Sequence, residues 1–402
     1  MKADQPVDPL AWLDAEWADW TAQGLERRLT PRRPHGRESS LLDFSSNDYL
    51  GLSDDSRVID AAIEATRRFG TGARASALVS GWTEEHEALA ADLAAFEGVE
   101  TVALAPTGYA ANLGAIASVV GSGDAVYVDR LNHACLMDGV RLSGAALRVV
   151  PHNDVTRLAE ILTRDEGRYR RRLIAVDGVF SMDGDLAPLP KVCALAERHG
   201  AMTLVDEAHG TGLFGRGGRG AREYWDVMER VTITVGTLSK ALGTLGGFVA
   251  GERRLVRYVV QRAGPLVYST ALPPACAAAA RAALAIVQAE PERRIKVFAL
   301  AERLRHEARR AGWVVPESLG PIVPILVGEA DATMRLAQEL KTKGVVVGAI
   351  RPPTVPRGTA RLRVSLSARH SIEAVDRLIE TLRQAAIPKI GALQEPNQRR
   401  TT

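Results

Sequence analysis

Cysteine is scarce: Cys135, Cys193 and Cys276 are the only three in 402 residues, widely spaced and without a C-x-x-C pair. That excludes a disulfide framework and a thiolate metal centre, and it implies a reducing, cytoplasmic setting. Excess charge of one sign is also missing. The formal net charge is +3 and the arginines are scattered, so nucleic acid is not an expected partner. No run reaches the roughly 18 apolar residues that cross a bilayer. The opening Met1-Lys-Ala-Asp-Gln-Pro feeds no apolar segment, so a soluble, untargeted chain without a membrane partner is expected. Neither G-x-x-x-x-G-K-S/T nor a G-x-G-x-x-G that opens a helix after the first strand occurs, which argues against nucleoside triphosphates and dinucleotides.

What is present suits a globular chain of two or three domains, with 46% hydrophobic residues. Residues 10–29 place Leu10, Leu13, Trp17, Trp20 and Leu25 at helical spacing, predicting an amphipathic helix whose apolar stripe covers another surface. A basic, proline-broken connector with Arg32, Arg33 and Arg37 follows, so residues 1–45 read as helix and connector. Apolar strands at 101–105, 125–129, 147–151, 172–177, 201–206 and 231–236 alternate with helices. This pattern predicts an α/β fold with a large, mainly parallel, helix-covered sheet over 46–285. Strands at 322–327, 345–350 and 361–366, with helices at 293–311, 332–343 and 372–385, predict a smaller α+β domain over 286–390 that packs against the N-terminal helix. The tail, 391–402, has no apolar pattern and is expected to be disordered.

Chemistry concentrates at the predicted strand ends. Lys240 follows the β-branched run that closes at Gly236, and Gly243, Gly246 and Gly247 behind it imply close backbone approach. A lysine in a partly dry cleft loses its proton more readily and forms a Schiff base with an aldehyde. Asp206 ends another buried strand, where a carboxylate needs a cation or strong donors, and His209 stands three residues later. His133 lies just past the strand at 125–129, and Ser181 just past the one at 172–177. Thr107, Gly108 and Tyr109 begin a helix after a strand, where free N–H groups and the helix dipole favour a phosphate. Pyridoxal 5′-phosphate unites these groups, since it needs a lysine, a phosphate cup and a carboxylate at its ring nitrogen. Asp206 is then the partner of the ring nitrogen, His133 stacks on the ring, and His209 and Ser181 bond its hydroxyl. Gly108, Tyr109 and Thr237 orient the cofactor and its phosphate.

Asn47-Asp-Tyr-Leu-Gly, Asp206-Glu-Ala-His-Gly-Thr-Gly and Thr237-Leu-Ser-Lys240, in this order, resemble the α-oxoamine synthases over about residues 10–385. These are fold-type I pyridoxal-phosphate transferases, dimers that condense an amino acid with an acyl-coenzyme A. Further motifs narrow the resemblance: Phe44-Ser-Ser-Asn47, Gly108-Tyr-Ala-Ala-Asn112, His152-Asn-Asp154, Gly178-Val-Phe-Ser-Met-Asp-Gly-Asp185, Ile350-Arg-Pro-Pro-Thr-Val-Pro356 and Gly358-Thr-Ala-Arg-Leu-Arg363. They imply that L-alanine and a pimeloyl thioester, on coenzyme A or acyl-carrier protein, are joined with loss of CO2 in biotin biosynthesis. Lys240 then takes the α-proton, and neither a metal nor a nucleophilic serine or cysteine is required. The resemblance assigns the alanine carboxylate to Arg363 ahead of Arg351, with Thr354, Asn47 and His133 as further substrate contacts. It gives an N-terminal arginine to the acyl substrate, for which Arg27 and Arg28 compete and Arg27 is preferred. Ser269 and Thr270 are expected to reach the neighbouring subunit's phosphate. The alternatives are a family member that joins glycine to acetyl-CoA, an aminotransferase, and a non-catalytic scaffold.

Overall fold

The computed structural model describes residues 8–23, 25–27, 29, 31 and 41–386. Residues 32–40 of the basic connector, Arg28 and the tail 391–402 lie outside the described residues.

The larger sheet contains β2 (Thr101–Ala105), β3 (Ala125–Asp129), β4 (Ala146–Val150), β5 (Arg172–Asp177), β6 (Met202–Asp206), β7 (Ile233–Thr237) and β8 (Gly247–Gly251). Their spatial order is β2-β8-β7-β6-β5-β3-β4, and only β8 pairs antiparallel with its neighbours. Alternation along the strands sends successive side chains into different apolar clusters on the two faces, as the pleat requires. Phe248 and Ala250 of β8 join one core with Leu104, Val176 and Val205, whereas Val249 joins the other with Ala103, Ala175 and Leu204. Parallel strands thereby bring the ends at Asp129, Asp177, Asp206 and Thr237 to one edge, where open α/β sheets bind ligands.

A four-stranded sheet follows the order β1-β10-β11-β9, with β1 Leu42–Phe44, β9 Ile322–Gly328, β10 Val345–Ile350 and β11 Ala360–Ser365. β1 pairs in parallel with β10. The expectation that residues 1–45 are only helix and connector is corrected here: their last residues form an edge strand of the sheet built otherwise by the C-terminal part of the chain. Ile322, Val323, Leu362 and Val364 share a continuous core with Phe248 and Val176, so apolar packing joins the two sheets.

The N-terminal helix, α1, is shorter than expected, Trp12–Ala22. Leu25 N–H reaches back to the Trp20 carbonyl at 2.8 Å and wraps the chain end over the last turn. The expected burial of its stripe is corrected as well. No α1 residue is buried, and Trp12, Trp17 and Trp20 are exposed. Two direct neighbours are the edge-on pair Trp17–Trp20 and, beyond the helix, Arg351 Nη2 donating to the Glu26 carbonyl at 2.8 Å.

Helices α2 (Ser56–Phe69) and α3 (Glu84–Glu97) precede β2, and Gly247 starts β8 beside the N-terminus of α4 (Gly108–Val119). A Cβ there would lie 2.5 Å from Gly108 N and 2.6 Å from Gly108 Cα, backbone atoms that cannot rotate away. Gly247→Ala is therefore expected to destabilise the fold by about 1–3 kcal/mol, read as an earlier urea midpoint with an unchanged slope.

Candidate active site

β7 ends at Thr237, whose Oγ1 donates to the Gly246 carbonyl at 2.9 Å, and Leu238 N and Gly246 O close the turn at 3.0 Å. The closed turn aims Lys240 back at the sheet edge. Its Nζ lies 2.8 Å from His209 Nε2. Burial lowers the Lys240 pKa from 10.5 to about 8, although Asp206 opposes the shift. A useful fraction of neutral amine therefore exists near neutral pH.

β6 carries Asp206 to the same edge. Its Oδ2 accepts from Asn112 Nδ2 at 2.7 Å, and its Oδ1 accepts from Ala208 N at 2.8 Å. The loop behind it is anchored by the buried Glu207, whose carboxylate receives Ala221 N and Arg222 N, each at 2.8 Å. This anchoring presents His209, buried, with Nδ1 2.7 Å from Tyr49 Oη. Burial, then the charges of Lys240 and Arg363, hold the His209 pKa well below its usual value, so the ring is neutral.

α5 (Ala134–Ser143) is capped by His133, whose Nδ1 accepts from Cys135 N at 3.2 Å. Burial lowers its pKa too, leaving a neutral, apolar ring face. Asp177 accepts from His133 N at 3.1 Å and pairs across the sheet with Asp206. Burial, then the neighbouring Asp206 charge, raises its pKa well above the carboxylate range. The two aspartates thus differ in environment: Asp206 receives donors from Asn112, Ala208 and, at 3.9 Å, the Cys135 thiol, and Asp177 is driven towards its protonated form.

α4 begins at Gly108 after Thr107, whose hydroxyl caps Ala110 N at 3.0 Å. A Cβ on Gly108 would meet Thr237 Cβ at 3.0 Å, so glycine lets the helix start lie against β7. Tyr109 hydrogen-bonds Asp138 and stands edge-on to His133, with ring centroids 6.3 Å apart.

These elements enclose a cavity of about 210 Å³. Lys240, His133, Asp206, His209, Gly108, Tyr109 and Thr237 all line it. Arg363 and Asn47 lie outside the lining and connect to it through Tyr49 and His209: Arg363 Nη1 donates to Asn47 Oδ1 at 3.0 Å, and Nη2 to Tyr49 Oη at 3.2 Å. Ser181 is outside the lining, and its carbonyl accepts from Arg363 Nε at 2.6 Å. Ser269 and Thr270 are also outside it; Thr270 bridges to Ser76. Arg27 and Thr354 are exposed, and Arg351 is half-buried at the end of β10. The sequence reading passed over Asn112, Asp177, Cys135 and Tyr49 as site residues. Two of the four carry a signal: Asn112 follows Gly108 by one helical turn, and Asp177 ends its strand as Asp206 does.

The aminotransferase class I and II family matches residues 39–382, and the chain belongs to that family. Its architecture is fold-type I of the pyridoxal-phosphate enzymes, as expected. The 8-amino-7-oxononanoate synthase of Halorhodospira halophila is 51% identical over 406 residues, covering 97% of this chain and 99% of that protein. The synthase of the same name from Anaeromyxobacter dehalogenans (strain 2CP-1) is 46% identical over 389 residues, covering 95% and 96%. Within the larger family, the chain belongs with these synthases. A solved structure of SPT with a PLP internal aldimine superposes with a TM-score of 0.87 at 30% identity, covering 93% of this chain and 96% of that one.

Because only the neutral amine is a nucleophile, carbamylation of Lys240 by cyanate in the cofactor-free protein is expected to rise with a midpoint near pH 8, against 10.5 for an ordinary lysine. Peptide mass spectrometry across a pH series reads it directly. A midpoint at the ordinary value would contradict the desolvated environment.

Proposed function

We propose that the chain uses pyridoxal 5′-phosphate to condense L-alanine with a pimeloyl thioester, forming 8-amino-7-oxononanoate for biotin biosynthesis and releasing CO2 and the thiol. The observation that carries this reading is the amine of Lys240, its pKa lowered to about 8, in one cavity with Asp206 and the start of α4. The donor set fits the cofactor. An aldehyde needs the neutral amine, a phosphate needs the N–H groups at the helix start, and a pyridinium needs a carboxylate held by donors, as Asn112 and Ala208 hold Asp206.

When bound, the cofactor supplies a sink for the electron pair left on the alanine α-carbon. Lys240 Nζ is the base that takes the α-proton, and its lowered pKa keeps it competent near neutral pH. Asp206 holds a proton at the ring nitrogen. His133 covers a ring face and, being neutral, adds no charge against that proton. His209 would bond the ring hydroxyl, its Nε2 lying 2.8 Å from Lys240 Nζ. Gly108, Tyr109 and Thr237 hold the phosphate. Arg363 receives the alanine carboxylate with its fork of donors beside Asn47. Arg27 serves the acyl substrate, and Arg351, with Thr354 beside it, is the second candidate for the alanine carboxylate.

The protein acts as a homodimer, with Ser269 and Thr270 reaching the partner's phosphate. Exposed Leu78, Val79 and Tyr268 around the Ser76–Thr270 bridge support this assembly. Among the described residues no helix is long and apolar enough to cross a membrane. The three free cysteines suit the reducing cytoplasm as its setting.

Steady-state turnover is expected with alanine and pimeloyl-CoA, and faster turnover of glycine with acetyl-CoA would overturn the substrate assignment. Lys240→Ala is expected to lower kcat by about 10²–10⁴-fold and to abolish the borohydride-reducible absorbance band of the holoenzyme. Arg363→Ala is expected to raise the KM for alanine about 10–100-fold, the loss of charged hydrogen bonds.

A further inference from the structure

The motif His152-Asn-Asp154 lies after β4, outside the cavity lining, and the reaction as derived does not use it. Its contacts converge on one loop. His152 Nδ1 lies 3.1 Å from each Asp129 carboxylate oxygen, and its Nε2 lies 2.8 Å from Asp185 Oδ2. Carboxylates only accept hydrogen bonds, so both ring nitrogens must donate and the ring is an imidazolium. Burial opposes that charge, but the bonds to Asp129 and Asp185 outweigh it and push the pKa up to about 9. Asn153 adds a second strap. At φ +53° its N–H reaches Asp129 at 2.7 Å, while its Nδ2 donates to Asp185 at 2.9 Å and to the Leu186 carbonyl at 3.2 Å. Phe180 packs edge-on against His152, with centroids 4.5 Å apart.

The loop gripped this way, residues 178–187, is closed on itself by Phe180 N–H to Asp185 O at 2.9 Å. Its other side meets the smaller sheet. Asp183 pairs with Arg361 on β11, and Gly184 O accepts from Leu319 N at 2.9 Å. Between these anchors, the Ser181 carbonyl accepts a hydrogen bond from Arg363 Nε at 2.6 Å. Arg363 is thus aimed from two directions, by Asn47 and Tyr49 on one side and by the loop on the other.

We propose that His152 is a positioning residue for the substrate arginine: by tying Asp185 to Asp129 it fixes the 178–187 loop, from which the Ser181 carbonyl orients Arg363 for the amino-acid carboxylate. The proposal rests on the reading of Arg363 as the carboxylate site. His152 touches neither substrate nor cofactor, so its loss weakens amino-acid binding and leaves cofactor binding intact.

The test titrates L-alanine into the holoenzyme and follows the cofactor absorbance, alongside cofactor affinity and KM values. His152→Gln, whose amide is uncharged and carries its donors on a single nitrogen where the imidazolium offers one on each side, is expected to raise the alanine dissociation constant about 5–20-fold. Cofactor affinity and the thioester KM should hold. Arg363→Lys should also weaken alanine, and adding His152→Gln to it should cause little further loss, because the two residues act through one contact. Native-like alanine binding in His152→Gln, or a parallel loss of cofactor, overturns the positioning role. If Arg363→Lys leaves alanine binding unchanged, the carboxylate assignment fails, and the positioning role with it. Should His152→Gln fail to fold, Asp185→Asn removes the same tether from the other side and must reproduce the selective loss.

Discussion

A lysine amine removed from water at the carboxyl edge of a parallel sheet is the constraint on which the rest of the structure depends. Lowering its pKa from 10.5 to about 8 makes the charged form unfavourable in the folded chain. At about 1.4 kcal/mol per unit, the penalty below pH 8 is on the order of 3 kcal/mol. It is relieved as pH rises from about 8 to 10.5, where the unfolded chain keeps the proton and the folded chain has released it. The surroundings are built to tolerate this: His209 is held neutral, and Asp206 supplies the opposing charge.

The neighbouring groups obey the same logic of separated environments. Asp177 and Asp206 pair in register at adjacent strand ends, yet only Asp206 accepts from Asn112 and Ala208, while Asp177 is pushed towards neutrality. The smaller sheet delivers Arg363, and Tyr49 bonds both Arg363 and His209. A continuous hydrogen-bonded path, Arg363–Tyr49–His209–Lys240, therefore links the group assigned to the substrate carboxylate with the group assigned to its α-proton. The shared apolar core under both sheets keeps these ends in register.

Much of this was legible before any coordinates. Strand ends carry their own signal, an apolar run that stops at a polar residue, and so Asp206, His209, His133, Gly108 and Lys240 were found together. Through-space partners carry no such signal. Tyr49 and His209 are 160 residues apart, and Arg363 and Ser181 are 182 apart, so no local pattern announces either contact. The expected role of the Ser181 hydroxyl missed that its carbonyl serves Arg363. β1 is only three residues long, too short for its pattern to announce a strand or the sheet it joins. The tryptophans of α1 satisfy helical spacing while remaining exposed, because periodicity describes a face and not what covers it.

The most direct test of the central claim is peptide mapping of the holoenzyme after borohydride reduction. The cofactor is predicted to be found covalently attached, at one site, on the peptide that contains Lys240. Attachment at another lysine, or no attachment, would contradict the account.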